Sequence, residues 1–161
     1  MRLYGRRSSI NVQKVLWCLA EIGLTEGRDF ERIDAGLEFG IVDKREYRKL
    51  TPNGLVPMLV DGEFVLWESN SIVRYLVASR SDRALLPADP KFRADVERWM
   101  DWQLGTLWAT LHIASLGLTR PPGAQRNVEA IQNAYREGSR MLTFVDALPG
   151  HQSHLTGEAF R

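Results

Sequence analysis

The sequence predicts a small mixed α/β unit, ordered β-α-β-α-β-β-α, followed by an all-α region. Short apolar or alternating runs at residues 1–4, 30–34, 56–60 and 64–67 read as strands. Apolar residues at helical spacing lie after the first of these runs and again after the last. Beyond residue 90 only helical spacing recurs, interrupted by proline-rich breaks.

Each element has its own signal. Residues 1–4 suit a strand and residues 5–9 a loop. Val12, Val15, Leu16, Leu19 and Ile22 then mark one face of a helix, with Ser9 or Asn11 to cap it and Gly23 to stop it. Residues 30–34 alternate apolar and polar, the pattern of a half-buried strand. Residues 35–50 are polar and irregular, with one helical turn around 44–49. The runs 56–60 and 64–67 flank Asp61-Gly62, which predicts a two-residue hairpin loop. Ser69 or Asn70 caps the next helix, which carries Ile72, Val73, Tyr75, Leu76 and Val77. Residues 80–90 have the composition of a linker. Residues 91–118 read as one long helix, broken by Pro121-Pro122-Gly123, and a second helix from Val128 to Leu148 is stopped by Pro149-Gly150. There are no internal repeats.

Composition narrows the function classes. With 161 residues and 44% apolar content the chain can build a core, so disorder is excluded. Lys+Arg 21 against Asp+Glu 20 leaves a net charge of +1, which gives no global attraction for nucleic acid or an anionic membrane. Cys18 stands alone, so no internal disulfide forms, and no Cys/His cluster has zinc-ligand spacing; no metal is expected. The N-terminus is not a signal peptide and no apolar run approaches the ~18 residues of a membrane span. The expectation is a soluble cytoplasmic protein with neither nucleic-acid nor membrane partners.

Conventional catalytic and nucleotide-binding motifs are missing from the sequence. Three local features remain. Ser8-Ser9-Ile10-Asn11 lies at a strand-to-helix junction, where unpaired N–H groups and the helix dipole stabilise an anion and ease ionisation of a thiol; a simple Ser9 cap also accounts for it. In Thr51-Pro52-Asn53-Gly54-Leu55-Val56-Pro57, a cis bond before Pro57 would leave the Val56 N–H and C=O facing a cleft, able to pair with an extended peptide; an ordinary loop is the alternative. Glu68-Ser69-Asn70-Ser71 forms a second helix start suited to a carboxylate, or a plain cap beside a solvated Glu68. Together they describe a receptor for a short acidic peptide.

At these residues the chain resembles the glutathione transferases, in particular serine-type bacterial members of the theta and beta kind. Ser9-x-Asn11-Val-x-Lys14-Val-Leu-Trp, Thr51-Pro-Asn-Gly-Leu-Val-Pro57 and Asp61-Gly with Leu66-Trp-Glu-Ser-Asn-Ser-Ile-Val-Arg-Tyr-Leu76 arrive in the family's order and spacing. Arg93-Ala and Trp99-Met-Asp-Trp102 resemble the opening helix of its C-terminal domain. The resemblance implies a thioredoxin-like glutathione-binding domain over residues 1–80, a linker at 81–90 and a partial α-helical domain over 91–161. It implies glutathione as co-substrate, its thiol activated for attack on a small electrophile, a detoxification role and a homodimer. The backbone of Val56 before cis-Pro57 would clamp the cysteinyl group. Ser69 would hold the γ-glutamyl carboxylate, with Glu68 near the amine. Ser9 is the implied catalytic hydroxyl, with Asn11 sharing or taking the role and Ser8 a further candidate. Tyr4 lies near the tyrosine-type position, which the Ser-x-Asn pattern disfavours.

Several residues depart from the family's pattern. Leu55 replaces a commoner polar residue, Cys18 lies inside the first helix as a small core residue, and Ser-Ser-Ile-Asn disfavours the isomerase branch. Trp102, Leu104, Leu107, Trp108 and Leu111 either line an electrophile pocket or pack as core. A glutathione-dependent disulfide reductase and a non-catalytic binding or assembly module are the alternative functions. The chain is shorter than the family's usual length, and its last residues resemble the loop before a buried capping-box helix. If the chain ends there, Trp99, Leu107 and Val145 are expected to expose an apolar face.

Overall fold

The computed structural model describes residues 1–80, 85–120, 126–148 and 154–157. It contains two compact units, Met1–Leu86 and Pro87–Arg161. The breaks expected at Pro121-Pro122-Gly123 and Pro149-Gly150, and part of the 81–90 linker, lie outside the described residues.

The first unit contains β1 (Arg2–Tyr4), α1 (Ile10–Glu21), β2 (Glu31–Ile33), a 3-10 turn at Leu37–Phe39, α2 (Arg45–Leu50), β3 (Met58–Asp61), β4 (Phe64–Trp67) and α3 (Ser69–Ala78). The sheet order is β2-β1-β3-β4. β1 and β2 are parallel, joined through α1, and the other pairs are antiparallel. This is the predicted element order, in a thioredoxin-like arrangement.

Alternation along the strands assigns the two faces. Tyr4 and Met58 pair across the sheet and, with Val60, pack on Tyr47 of α2. Leu3 and Leu59 pair with their side chains on the opposite face, and α1 and α3 pack together with Val12, Val15, Leu19, Ile72 and Leu76 buried. Cys18 is buried among them, as expected for a small core residue.

Local boundaries depart from the sequence reading. Asp61 pairs with Phe64, so the two loop residues are Gly62 and Glu63 rather than Asp61 and Gly62. Gly62, at φ +58, takes the left-handed position such a loop requires. β3 starts at Met58, not Val56, because Pro57 has no N–H to donate to the ladder. β2 keeps only Glu31–Ile33 of the predicted 30–34.

In the second unit, α4 (Pro90–Trp102) and α5 (Trp108–Thr119) flank a π-helical turn at Gln103–Leu107, where one uninterrupted helix over 91–118 was expected. α6 (Val128–Asp146) packs against α5. The Trp99 and Trp102 rings of α4 and the Phe144 ring of α6 cluster at centroid distances of 5.7–6.2 Å, and Trp99 and Val145 are half-buried. Among the described residues no helix is long and apolar enough to cross a membrane.

Candidate functional site

The site forms where the starts of α1 and α3 come together beside the loop before β3. β1 ends at Tyr4, and Arg32 Nη1 braces the turn that follows by donating to the Gly5 carbonyl at 2.9 Å. Ser9 then occupies the N-cap position of α1. It is 9% exposed, and its side chain makes no capping hydrogen bond. This corrects the expectation of a Ser9 cap: the hydroxyl is not engaged by the helix it begins. Asn11 does not cap either, since it already lies inside α1. Ser8 is exposed.

α3 begins in a similar way, one residue earlier than predicted. Glu68, not Ser69 or Asn70, occupies its N-cap position, and its side chain makes no capping bond. Its φ of +71 is the left-handed conformation, costly for a side chain with a Cβ and concentrated at ligand clamps and active sites. The carboxylate is exposed, while Ser69 and Asn70 behind it are buried.

Side chains link the two helix starts. Ser69 Oγ donates to Asn11 Oδ1 in a long contact of 3.4 Å, and Lys14 Nζ donates to Asn70 Oδ1 at 3.0 Å. Burial pushes the Lys14 ammonium below the ordinary lysine range, and the charge of Glu68 opposes that shift.

The loop before β3 completes the site. The Val56–Pro57 bond is cis, as the family resemblance implied. Gly54 takes φ +62, and Asn53 Oδ1 accepts from Thr51 Oγ1 at 2.5 Å and from the Leu55 N–H at 3.0 Å. Tyr47 donates to the Leu55 carbonyl at 2.7 Å, and burial pushes its phenol up to about 12, so it stays a donor at neutral pH. These bonds hold Val56 in place, and among the described residues its own backbone makes no hydrogen bond. Gly36 lies beside it: a Cβ there would stand 2.9 Å from the Arg6 guanidinium and 3.6 Å from Val56. Leu55 is exposed and Tyr4 packs edge-on against Tyr47. Among the described residues no cluster of His, Cys, Asp or Glu could hold a metal ion.

The "Glutathione S-transferase, N-terminal domain" family matches residues 1–78. Glutathione S-transferase GstB of Escherichia coli strain K12 is 39% identical over 160 residues, 98% of this chain and 75% of that protein. The chain belongs to the glutathione S-transferase family. Glutathione S-transferase D6 of Drosophila melanogaster is 29% identical over 94% of the chain and 70% of that protein. Among solved structures, the theta class glutathione S-transferase from Xanthomonas axonopodis pv. citri with glutathione bound superposes with a TM-score of 0.90. It is 42% identical, covering 99% of this chain and 74% of that one.

Within this glutathione S-transferase the structure places Asn11 and Ser69 together and sets Val56 ahead of a cis proline. No hydrogen bond joins Ser9 to the other candidates among the described residues. Lys14 and Tyr47 were not singled out from sequence, and Asn70 was read only as a helix cap or part of a helix-start motif. Lys14 stood within a quoted motif, but its partner Asn70 is 56 residues away, so local spacing carried no sign of the pair.

Proposed function

We propose that this glutathione S-transferase binds glutathione along residues 1–80 and activates its thiol at the start of α1 for attack on a small electrophile. The observation that carries the reading is the convergence of two helix starts, both without side-chain caps, beside an unpaired Val56 backbone. Helix starts without an N-cap side-chain bond suit anions at both ends of a short acidic peptide. Ser69 holds the γ-glutamyl carboxylate, Glu68 lies near its amine, and Val56 before Pro57 pairs with the cysteinyl backbone. Ser9 donates to the sulfur and Asn11 assists. No general base is required. Lowering the thiol pKa by ~2 units corresponds to roughly 2.7 kcal/mol, within the range of a charge-assisted hydrogen bond added to a helix terminus.

Residues 81–90 serve as the linker and 91–161 contribute the electrophile side. The enzyme acts in the cytoplasm as a homodimer, consuming electrophiles in detoxification. Sedimentation equilibrium checks the dimer, and a stable monomer overturns it.

The deciding experiment compares wild type, Ser9→Ala, Asn11→Ala and Ser69→Ala by calorimetric titration with glutathione, thiolate absorbance and conjugation to a chloronitrobenzene. Ser9→Ala is expected to lower turnover while sparing affinity, and Ser69→Ala to weaken affinity. Wild-type turnover in Ser9→Ala with loss in Asn11→Ala moves the catalytic role to Asn11. Absence of glutathione binding and of thiolate absorbance in the wild type overturns the reading in favour of a non-catalytic module. Activity on a mixed disulfide alone favours a reductase.

A further inference from the structure

Lys14 lies one turn into α1 from Asn11, so both side chains lie on the face that α1 turns toward α3. Asn11 meets Ser69 and Lys14 meets Asn70, so the first two residues of α3 are joined to consecutive turns of α1. Asn70 is 6% exposed, which shields its bond to the ammonium from competing water. A cation at this place adds to the partial positive charge of the α3 N-terminus, and partial burial strengthens its attraction for an anion.

We propose that Lys14 is a positioning residue for glutathione: it fixes the first turn of α3 against α1 through Asn70, and its charge favours the γ-glutamyl carboxylate bound at that turn. The proposal rests on the placement of the γ-glutamyl group at Ser69. It implies that one side chain, rooted in the helix that activates the thiol, also sets the opposite end of the tripeptide.

The test uses the full chain and measures the glutathione Kd, KM and kcat for Lys14→Met and Lys14→Arg. Each is also titrated with a glutathione analogue lacking the γ-glutamyl α-carboxylate. Lys14→Met is expected to raise Kd and KM for glutathione about tenfold, the scale of one charge-assisted contact, with kcat nearly unchanged. Lys14→Arg recovers most of that loss. The analogue binds wild type and Lys14→Met alike. Unchanged glutathione affinity in Lys14→Met, beside a weakened Ser69→Ala, overturns the role of Lys14 alone. An equal loss with the analogue, or no recovery in Lys14→Arg, also overturns it, since packing alone would then explain the residue. Unchanged affinity in Ser69→Ala overturns the γ-glutamyl placement and this proposal with it.

Discussion

Helices begin differently in the two units. In the first, α1 follows Ser9 and α3 follows Glu68, and neither side chain caps its helix. In the second, Asp89 accepts from the Lys91 and Phe92 N–H groups at 2.9 and 3.1 Å, and Asn127 accepts from Ala130 at 3.0 Å. The second unit caps the starts of α4 and α6 with its own side chains. In the first, the N-cap side chains of α1 and α3 do not do this. The cores differ too. Leu3, Val12, Val15, Met58 and Ile72 are 0% exposed, whereas the buried apolar residues described in α4, α5 and α6 are Val96, Ala114 and Ala134. A rigid, closed unit suits a site built from fixed backbone groups.

Unfolding experiments can break this contrast. Leu59→Ala, at a position 1% exposed, should cost about 2–5 kcal/mol in urea unfolding, whereas Leu142→Ala, 44% exposed, should cost under ~1 kcal/mol. Similar losses would erase the difference between the cores. Gly138→Ala sharpens it, because the second unit does have one tight seam: a Cβ at Gly138 would stand 2.2 Å from Leu111 Cδ2. Overpacking of about 1–3 kcal/mol should outweigh the ~1 kcal/mol by which alanine favours a helix, so the Tm should fall. Asp89→Ala and Asn127→Ala should each cost about 1 kcal/mol, while Ser9→Ala should leave stability within ~0.5 kcal/mol, since it removes no capping bond.

A further effect concerns pH. Burial pushes the Cys18 thiol from 9.0 up to about 11, with Glu21 adding to the shift. Between those values the unfolded chain releases a proton that the folded chain retains, so stability falls as pH rises through the window and is unaffected by this thiol below it. Urea unfolding at pH 8–11 should show a shallower decline in Cys18→Ala.

Element order was legible because periodicity distinguishes strand from helix, and both clefted turns carried recognisable residues. Around Val56-Pro57 the cis bond was legible through the family resemblance, while the strand begins two residues later than the spacing suggested. The helix starts were misread for a physical reason. Ser9, Ser69 and Asn70 have the chemistry of caps, yet Ser9, which takes the N-cap position with ordinary extended backbone, makes no side-chain bond to its helix. At α3 the left-handed Glu68 takes the N-cap position instead, and Ser69 and Asn70 turn to α1. The hairpin loop shifted by one residue because register follows the pairing of Asp61 with Phe64, not the turn dipeptide alone. Long-range polar contacts such as Lys14 to Asn70 leave no trace in local spacing.

The π turn at Gln103–Leu107 acts as a phase shifter. An i→i+5 turn accommodates one more residue than the α-helix around it, and each added residue rotates everything beyond by about 100°. Trp99 and Trp102 before it, and Leu111 and Gly117 after it, all meet α6, at Phe144, Gly138 and Ile131 in turn. Deleting a single residue from the turn would straighten the helix yet swing Leu111 off Gly138. The irregular turn is what keeps one helix face in step with its partner along its whole length.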